Sequence, residues 1–222
     1  MKNILSYNFY IFDCDGVILQ SNKFKNNAFI LSLSLEKKED LEKFINYHKL
    51  NGGISRFKKF EYYFKKIKKL DNKEFKYQYF LALNKYNSII KKSYHNCNFI
   101  PGFLKLVKYL NNNNKKNIFV VSGSEENELK LSFKKKNILK YFKNVFGSPR
   151  DKFYHNKKII DNIEKNNNGI FFGDSKIDYL SAKENDLDFV FVKYESEWIN
   201  YKEIIRKTKD KQILDFTKIS YI

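Results

Sequence analysis

The chain is poor in cysteine and proline and has no long apolar run, and each scarcity closes off a class of protein. Its two cysteines, Cys14 and Cys97, cannot build a disulfide framework, which points to a reducing compartment. No stretch reaches the roughly 18 uninterrupted apolar residues that a spanning helix needs. Asp13 and Asp15 interrupt the apolar N-terminal stretch, and no small-residue cleavage site follows, so it does not read as a signal peptide. The expectation is a soluble, cytoplasmic protein.

Positive charge is plentiful instead. Forty-three Lys and Arg against 25 Asp and Glu give a net charge of +18, a balance that ordinarily suggests a nucleic-acid partner. Here lysine far outnumbers arginine, and Asn and Lys recur in tracts such as residues 111–117. Such a composition spreads charge over the whole surface rather than concentrating it in an interface. Neither a nucleic-acid nor a membrane partner is expected, although a diffuse positive field draws small anions toward a cleft.

At 26.7 kDa the chain can bury a full core and carry an insertion. Short apolar runs at residues 8–12, 117–121, 144–146, 169–172 and 188–192 read as strands. Those after the first are separated by helix-length intervals, as a parallel α/β sheet requires. The long interval between the first and second strands has almost no turn chemistry and reads as four helices, at 23–35, 38–50, 54–70 and 73–94. In the third, Phe57, Phe60, Phe64 and Ile67 form an apolar stripe, with Lys58, Lys59, Lys65, Lys66 and Lys69 on the solvated remainder. The expected organisation is an α/β core of residues 1–19 and 99–222 with a helical cap of residues 20–98, hinged near 19–22 and 98–102. Residues 196–207 read as a closing helix with Trp198 as a packing anchor, followed by a short tail.

Four strand ends carry chemistry. The first strand runs into Asp13-Cys14-Asp15-Gly16-Val17, where alternation sends both carboxylates to one side. At the carboxyl end of a parallel strand that side faces the ligand crevice. An ionised Asp13 can attack phosphorus, and Asp15, its proton held by a like-charged neighbour, can protonate a leaving oxygen. An Asp-x-Asp pair alone also describes a solvent-facing loop, so the other strand ends decide. Cys14, between two acids, reads as a packed side chain rather than a nucleophile.

The second strand ends in Ser122-Gly123-Ser124, a hydroxyl and backbone N–H groups at a strand-to-helix turn that suit an anion. Ser122 is the phosphoryl contact, and Ser124 reads as a helix cap. After the third strand, Ser148 reads as a cap, Pro149 as the first helical residue, and Lys152 as the cation beside Asp13, with Lys157 and Lys158 as competitors. The fourth strand ends in Gly173-Asp174-Ser175-Lys176-Ile177-Asp178, a hard-oxygen set that suits Mg²⁺, with helix capping by Asp174 as the other explanation.

In this order the motifs resemble those of the haloacid dehalogenase-like hydrolases over nearly the whole chain. The resemblance implies a Rossmann-like core with a helical cap and a phosphoaspartyl intermediate on Asp13. It implies Mg²⁺ held by Asp13, Asp15 through its backbone carbonyl, Asp174 and Asp178, the last directly or through water. Asp15 is also the implied acid and base, with Ser122 and Lys152 as catalytic partners and Gly16 and Gly123 beside the phosphate. An acid at Asp15 points to phosphoester chemistry rather than dehalogenation.

Residues 51–56, Asn-Gly-Gly-Ile-Ser-Arg, resemble a cap segment of β-phosphoglucomutases in which the arginine holds a distal substrate phosphate; a surface arginine at a helix start is the plain alternative for Arg56. Lys25, where those mutases carry histidine, and Gln20, in place of an acid, depart from them. The expected function is therefore a phosphatase for a small phosphorylated metabolite such as a sugar phosphate. A phosphosugar mutase and a silent metabolite-binding protein are the alternatives. His48, His95 and His155 fall in no pattern that assigns them a role.

Overall fold

A computed structural model describes residues 3–94, 96–163, 168–208 and 210–218. Strand β1 (Phe9–Phe12) is followed by α1 (Asn22–Ser32), α2 (Lys38–Leu50), α3 (Arg56–Tyr62), a π-helical turn over Tyr63–Ile67, and α4 (Asn72–Ser93). Then come α5 (Phe103–Asn112), β2 (Ile118–Glu125), α6 (Glu126–Lys135), β3 (Asn144–Ser148), α7 (Lys152–Asp161) and β4 (Gly169–Gly173). The chain continues through α8 (Lys176–Glu184), β5 (Asp188–Val192), α9 (Tyr201–Thr208) and β6 (Lys211–Ile213).

The strands form one parallel sheet in the order β3-β2-β1-β4-β5-β6. The chain builds outward from β1 through β2 and β3, then crosses to the other side of β1 for β4. This reversal opens a crevice at the carboxyl end of β1, where α/β sheets bind ligands. All four residues of β1 are buried, as expected of a central parallel strand covered on both faces. Tyr10 and Phe12 join the layer packed with Phe103 and Leu106 of α5 and Phe133 of α6. Phe9 and Ile11 join the opposite layer, with Ile159 of α7, Ala182 of α8 and Ile205 of α9. The core is thus a Rossmann-like three-layer unit.

The helices between β1 and β2 form an inserted block around their own aromatic cluster, in which Phe29 stands 4.5 Å from Tyr86 and 5.3 Å from Phe60 between ring centroids. The two connections to the core run side by side: Gln20 N–H donates to Asn98 O at 2.9 Å and Ile100 N–H to Ile18 O at 3.0 Å. Of the expected α3 stripe, Phe60 and Phe64 are buried. Lys59 is buried too, together with Arg56 and Tyr63, which corrects its place on a solvated face. Residues 56, 59, 60 and 63 follow helical spacing, and this side of α3 turns toward the crevice rather than toward water. No helix among the described residues is long and apolar enough to cross a membrane.

Two further features differ from the sequence reading. Strand β6 lies in what reads as a tail, because three residues of mixed polarity at a sheet edge leave no periodic signal. The closing helix starts at Tyr201 rather than 196, since the Ser196 hydroxyl donates to Asp174 O at 2.5 Å and accepts from Trp198 N–H, holding residues 196–198 in an irregular path over the crevice.

Candidate active site

Asp13 leaves the end of β1 with its N–H bonded to Phe172 O of β4 at 2.9 Å, which fixes the carboxylate over the crevice floor. The loop from Cys14 to Leu19 closes back on itself through Gly16 N–H to Leu19 O at 2.9 Å. Gly16 has φ +77°, and a Cβ there would lie 2.2 Å from Asp174 Oδ2, so only glycine lets this loop meet the β4 end. Cys14 is buried, and burial together with the two neighbouring acids pushes its thiol up.

Lys152, 2% exposed, bridges two carboxylates: its Nζ lies 2.8 Å from Asp13 Oδ1 and 2.5 Å from Asp178 Oδ1. It is the first residue of α7, whose cap is Asp151, accepting from Tyr154 N–H at 3.1 Å. Ser148 and Pro149 precede that cap, so the expected Ser-Pro helix start lies three residues too early. The β4 end is held by Ser175 and Asp178 in a capping box: Asp178 Oδ2 accepts from Ser175 N–H at 3.0 Å and its hydroxyl at 2.7 Å, and Ser175 rather than Asp174 caps α8.

Asp13, Asp174 and Asp178 each offer a carboxylate oxygen within 4.8 Å of the others, and all three are buried. Burial pushes the Asp13 carboxyl up to about 7, with Lys152 opposing the rise and Asp178 and Asp15 adding to it. Asp174 is raised well above the usual range by burial and by Asp13 and Asp178, against Lys152 and the Asn22 amide at 2.7 Å. Asp13 Oδ1 touches Lys152 yet accepts no well-directed hydrogen bond. Three buried acids, two of them bridged by one ammonium and with an unfilled acceptor among them, fit a divalent cation with oxygen ligands. Asp178, already accepting from Lys152 and Ser175, has less free coordination capacity than Asp174.

Asp15 points away from this cluster. Its Oδ1 accepts from Ser21 at 2.6 Å and Tyr94 at 2.5 Å, and its Oδ2 from Lys25 at 2.6 Å and Ser124 at 2.8 Å. Burial would raise this carboxyl, but the charge of Lys25 and the hydrogen bonds from Lys25, Ser21 and Tyr94 hold it well below the usual carboxylate range. A like-charged neighbour therefore does not hold its proton, because Lys25 has more effect than Asp13. Ser124, the expected helix cap, serves Asp15 instead, and Glu125 caps α6 by accepting from Asn127 and Glu128 N–H. Ser122 is buried with its hydroxyl accepting from Ser124 N–H at 3.1 Å, and the cleft wall beside it is made by Gly123 and Ser124.

The helical insert roofs the cleft. The Gly52-Gly53 loop enters between the β2 and β4 ends: a Cβ on Gly123 would lie 2.3 Å from Gly53 O, and one on Gly53, at φ +81°, 2.6 Å from Ser175 Oγ. Arg56 lines the same cleft, but its fork is engaged. Nη1 donates to Glu128 Oε1 at 2.8 Å and Asn87 Oδ1 at 2.5 Å, and Nη2 pairs with Glu128 Oε2. His48 is buried in the cleft wall, held down to about 2 by burial and by Lys59, Lys25 and Lys49. His155 bonds Gly147 O at 2.9 Å in the core, and His95 lies outside the described residues. Ser21, Tyr94 and Glu128 went unnoticed in the sequence, since single polar residues on helices or linkers form no motif. Lys25, legible there as a departure from the mutase pattern, is a central partner of Asp15.

A family model for haloacid dehalogenase-like hydrolases matches residues 10–192, and the chain belongs to that family. With its buried acid cluster it is classed among the phosphoric monoester hydrolases. No curated protein matches the sequence. Among solved structures, a β-phosphoglucomutase from Clostridium difficile is 20% identical, with a TM-score of 0.70 over 97% of this chain and 95% of that one. A protein described as a predicted phosphoglycolate phosphatase from Haemophilus somnus is 19% identical, with a TM-score of 0.70 over 98% of both chains. A haloacid dehalogenase-like family hydrolase from Streptococcus pneumoniae is 17% identical, with a TM-score of 0.65 over 95% and 94%. At these identities the likeness establishes the fold.

Proposed function

We propose that the chain is a Mg²⁺-dependent phosphatase that hydrolyses a sugar phosphate or similar small polar monoester through a phosphoaspartyl intermediate on Asp13. The observation that carries this assignment is the Lys152 ammonium bridging Asp13 and Asp178 beside Asp174, under the Gly52-Gly53 roof. Residues 20–98 form the cap domain, and 1–19 with 99–222 the core domain. The two linkers, hydrogen-bonded to each other at Gln20–Asn98 and Ile18–Ile100, support hinges there. Free Cys14 and Cys97 support a cytoplasmic location.

Asp13, Asp174 and Asp178, with the Asp15 backbone carbonyl, are the residues that would hold Mg²⁺. When bound, it neutralises carboxylate charge and polarises the phosphoryl group. Lys152 lowers the repulsion between the Asp13 carboxylate and an incoming phosphate, and the Gly123 N–H with Ser122 binds phosphoryl oxygens, while Gly16, its N–H given to Leu19 O, shapes the loop beside them. Asp13 attacks phosphorus, and closure of the cap excludes water from the first step. Asp15 manages the proton of the leaving oxygen and then of the hydrolytic water. Ionised by Lys25, Asp15 is set as the base for the second step, and its use as an acid in the first requires the Lys25 contact to loosen. Arg56, paired with Glu128, has no free fork for a distal phosphate, and Lys25 and Gln20 stand where the mutase pattern has a histidine and an acid; both support hydrolysis.

The test is phosphate release over a panel of phosphorylated metabolites and an aryl phosphate, with Mg²⁺ and with EDTA. Mg²⁺-dependent turnover that Asp13→Asn abolishes is the expected result. Turnover that needs an added sugar bisphosphate and yields an isomeric phosphate would indicate the mutase, and no turnover on any substrate would leave a binding protein.

A further inference from the structure

Among the described residues, three cationic side chains of the cleft region are fully buried, Arg56, Lys152 and Lys59, and of these only Lys59 has no carboxylate partner. Arg56 pairs with Glu128, and Lys152 with Asp13 and Asp178. Among the described residues, the Lys59 ammonium, 4% exposed, has one hydrogen-bond partner, His48 Nδ1 at 2.8 Å, and it stands 5.4 Å from the centre of the Phe29 ring. His48 in turn bonds Asn26 Oδ1 through Nε2 at 2.6 Å. A histidine held neutral accepts from Lys59 at Nδ1 and donates from Nε2, so this chain of contacts aims the ammonium without neutralising it. Two of its three N–H groups are left for a ligand.

We propose that Lys59 is a specificity-determining residue that binds a second anionic group, a carboxylate or a second phosphoryl, on the substrate phosphomonoester. The inference rests on the phosphatase assignment above and narrows its substrate class from neutral sugar phosphates to phosphorylated acids and bisphosphates. Lys59 and His48 line the same cleft as Asp13 and Asp174, so one small molecule can span from the acid cluster to the cap wall. An unpaired buried ammonium is costly to maintain, and a ligand carboxylate or phosphate would supply the missing partner. Burial and the charge of Lys25 push Lys59 down to about 7, with Glu197, Asp15 and Asp174 acting the other way, which fits a cation whose partner arrives with the substrate. The Arg56 segment suggested in the sequence as the distal anion contact lies one helical turn away, and its charge is already met by Glu128.

The test compares kcat/KM of the full-length wild type, Lys59→Met and Lys59→Arg, with Mg²⁺ present. The substrates are a phosphomonoester bearing a carboxylate, a bisphosphate, a neutral polyol monophosphate and an aryl phosphate. Wild type is expected to prefer the first two. Lys59→Met is expected to lose about 10- to 100-fold more on them than on the neutral pair, mainly through KM, with Lys59→Arg retaining most of the preference. The carboxylate and bisphosphate arms distinguish the two anions. A wild type that prefers the neutral monophosphate overturns the proposal without recourse to a variant, and so does a Lys59→Met loss that is equal on all four substrates. Failure of the phosphatase assignment itself would look different, as absence of phosphate release from every substrate by wild type.

Discussion

Arg56, at the start of α3, and Glu128, on α6, form a bidentate ion pair that joins the helical insert to the sheet core. Asn87 of α4 shares the guanidinium at 2.5 Å, and the Tyr86 ring lies 4.8 Å from its centre. A planar fork meeting a carboxylate in this way fixes orientation as well as charge. The pair therefore sets how the roof sits over Asp13.

Breaking this pair is expected to weaken cap placement on every substrate alike. Arg56→Ala should lower kcat/KM by a similar factor on an aryl phosphate and on the preferred metabolite, and Glu128→Gln should do the same to a smaller extent. Each should also cost about 1.5 to 3 kcal/mol in urea unfolding, the range for hydrogen bonds to charged groups. A loss confined to substrates with a second anion would return Arg56 to the role of a substrate contact.

Asp13→Asn should retain the fold and lose turnover, because an amide keeps the shape of the carboxylate but cannot attack phosphorus. The substitution also removes one of the buried negative charges that repel one another, so its thermal midpoint should equal or exceed that of the wild type. Activity above a tenth of the wild-type kcat would exclude Asp13 as nucleophile.

Mg²⁺ should stabilise the wild type, since among the described residues Lys152 pairs with Asp13 and Asp178 and no cation pairs with Asp174, the third buried carboxylate of the cluster. A cation at 100 times its dissociation constant adds about 2.7 kcal/mol. The rise in thermal midpoint with Mg²⁺ should vanish in Asp174→Asn and shrink less in Asp178→Asn, whose carboxylate is largely occupied by Lys152 and Ser175. An undiminished rise in Asp174→Asn would remove Asp174 from the metal site.

The strand ends were legible in the sequence because each couples an apolar run to a functional group at fixed spacing: Asp13, Ser122, Lys152 and Asp174 all follow strands the pattern identifies. The helical insert was legible from apolar spacing alone. What did not show was the side-chain company these groups keep. Asp15 reads as a proton carrier beside Asp13, yet Ser21, Lys25, Tyr94 and Ser124 come from a linker, two helices' ends and β2 to hold it ionised. No local spacing encodes that convergence. Lys59 reads as one more solvated lysine in a lysine-rich chain, and only the docking of α3 over the cleft buries it. Ser124 and Ser148 have cap chemistry, yet the helices start later, because Glu125 and Asp151 sit just beyond them and take that role.

His48 offers a pH signature that separates its buried placement from an exposed one. Burial and the neighbouring lysines depress it from 6.5 to about 2, so the folded state keeps it neutral where the unfolded chain takes up a proton. The stability associated with neutral His48 is fully present above the unfolded pKa near 6.5 and is lost as pH falls below it, at about 1.4 kcal/mol per pH unit. From pH 6.5 to 5, with the slope building up from half that value, the loss amounts to about 1.6 kcal/mol of unfolding free energy. Histidine-to-glutamine replacement at 48 keeps a polar side chain but removes the titration, so the variant should show a shallower decline over this window than the wild type, measured by urea unfolding at matched ionic strength. Parallel declines in the two proteins would mean that His48 takes up its proton in the folded state, and the Lys59–His48–Asn26 chain of contacts would not then persist in solution.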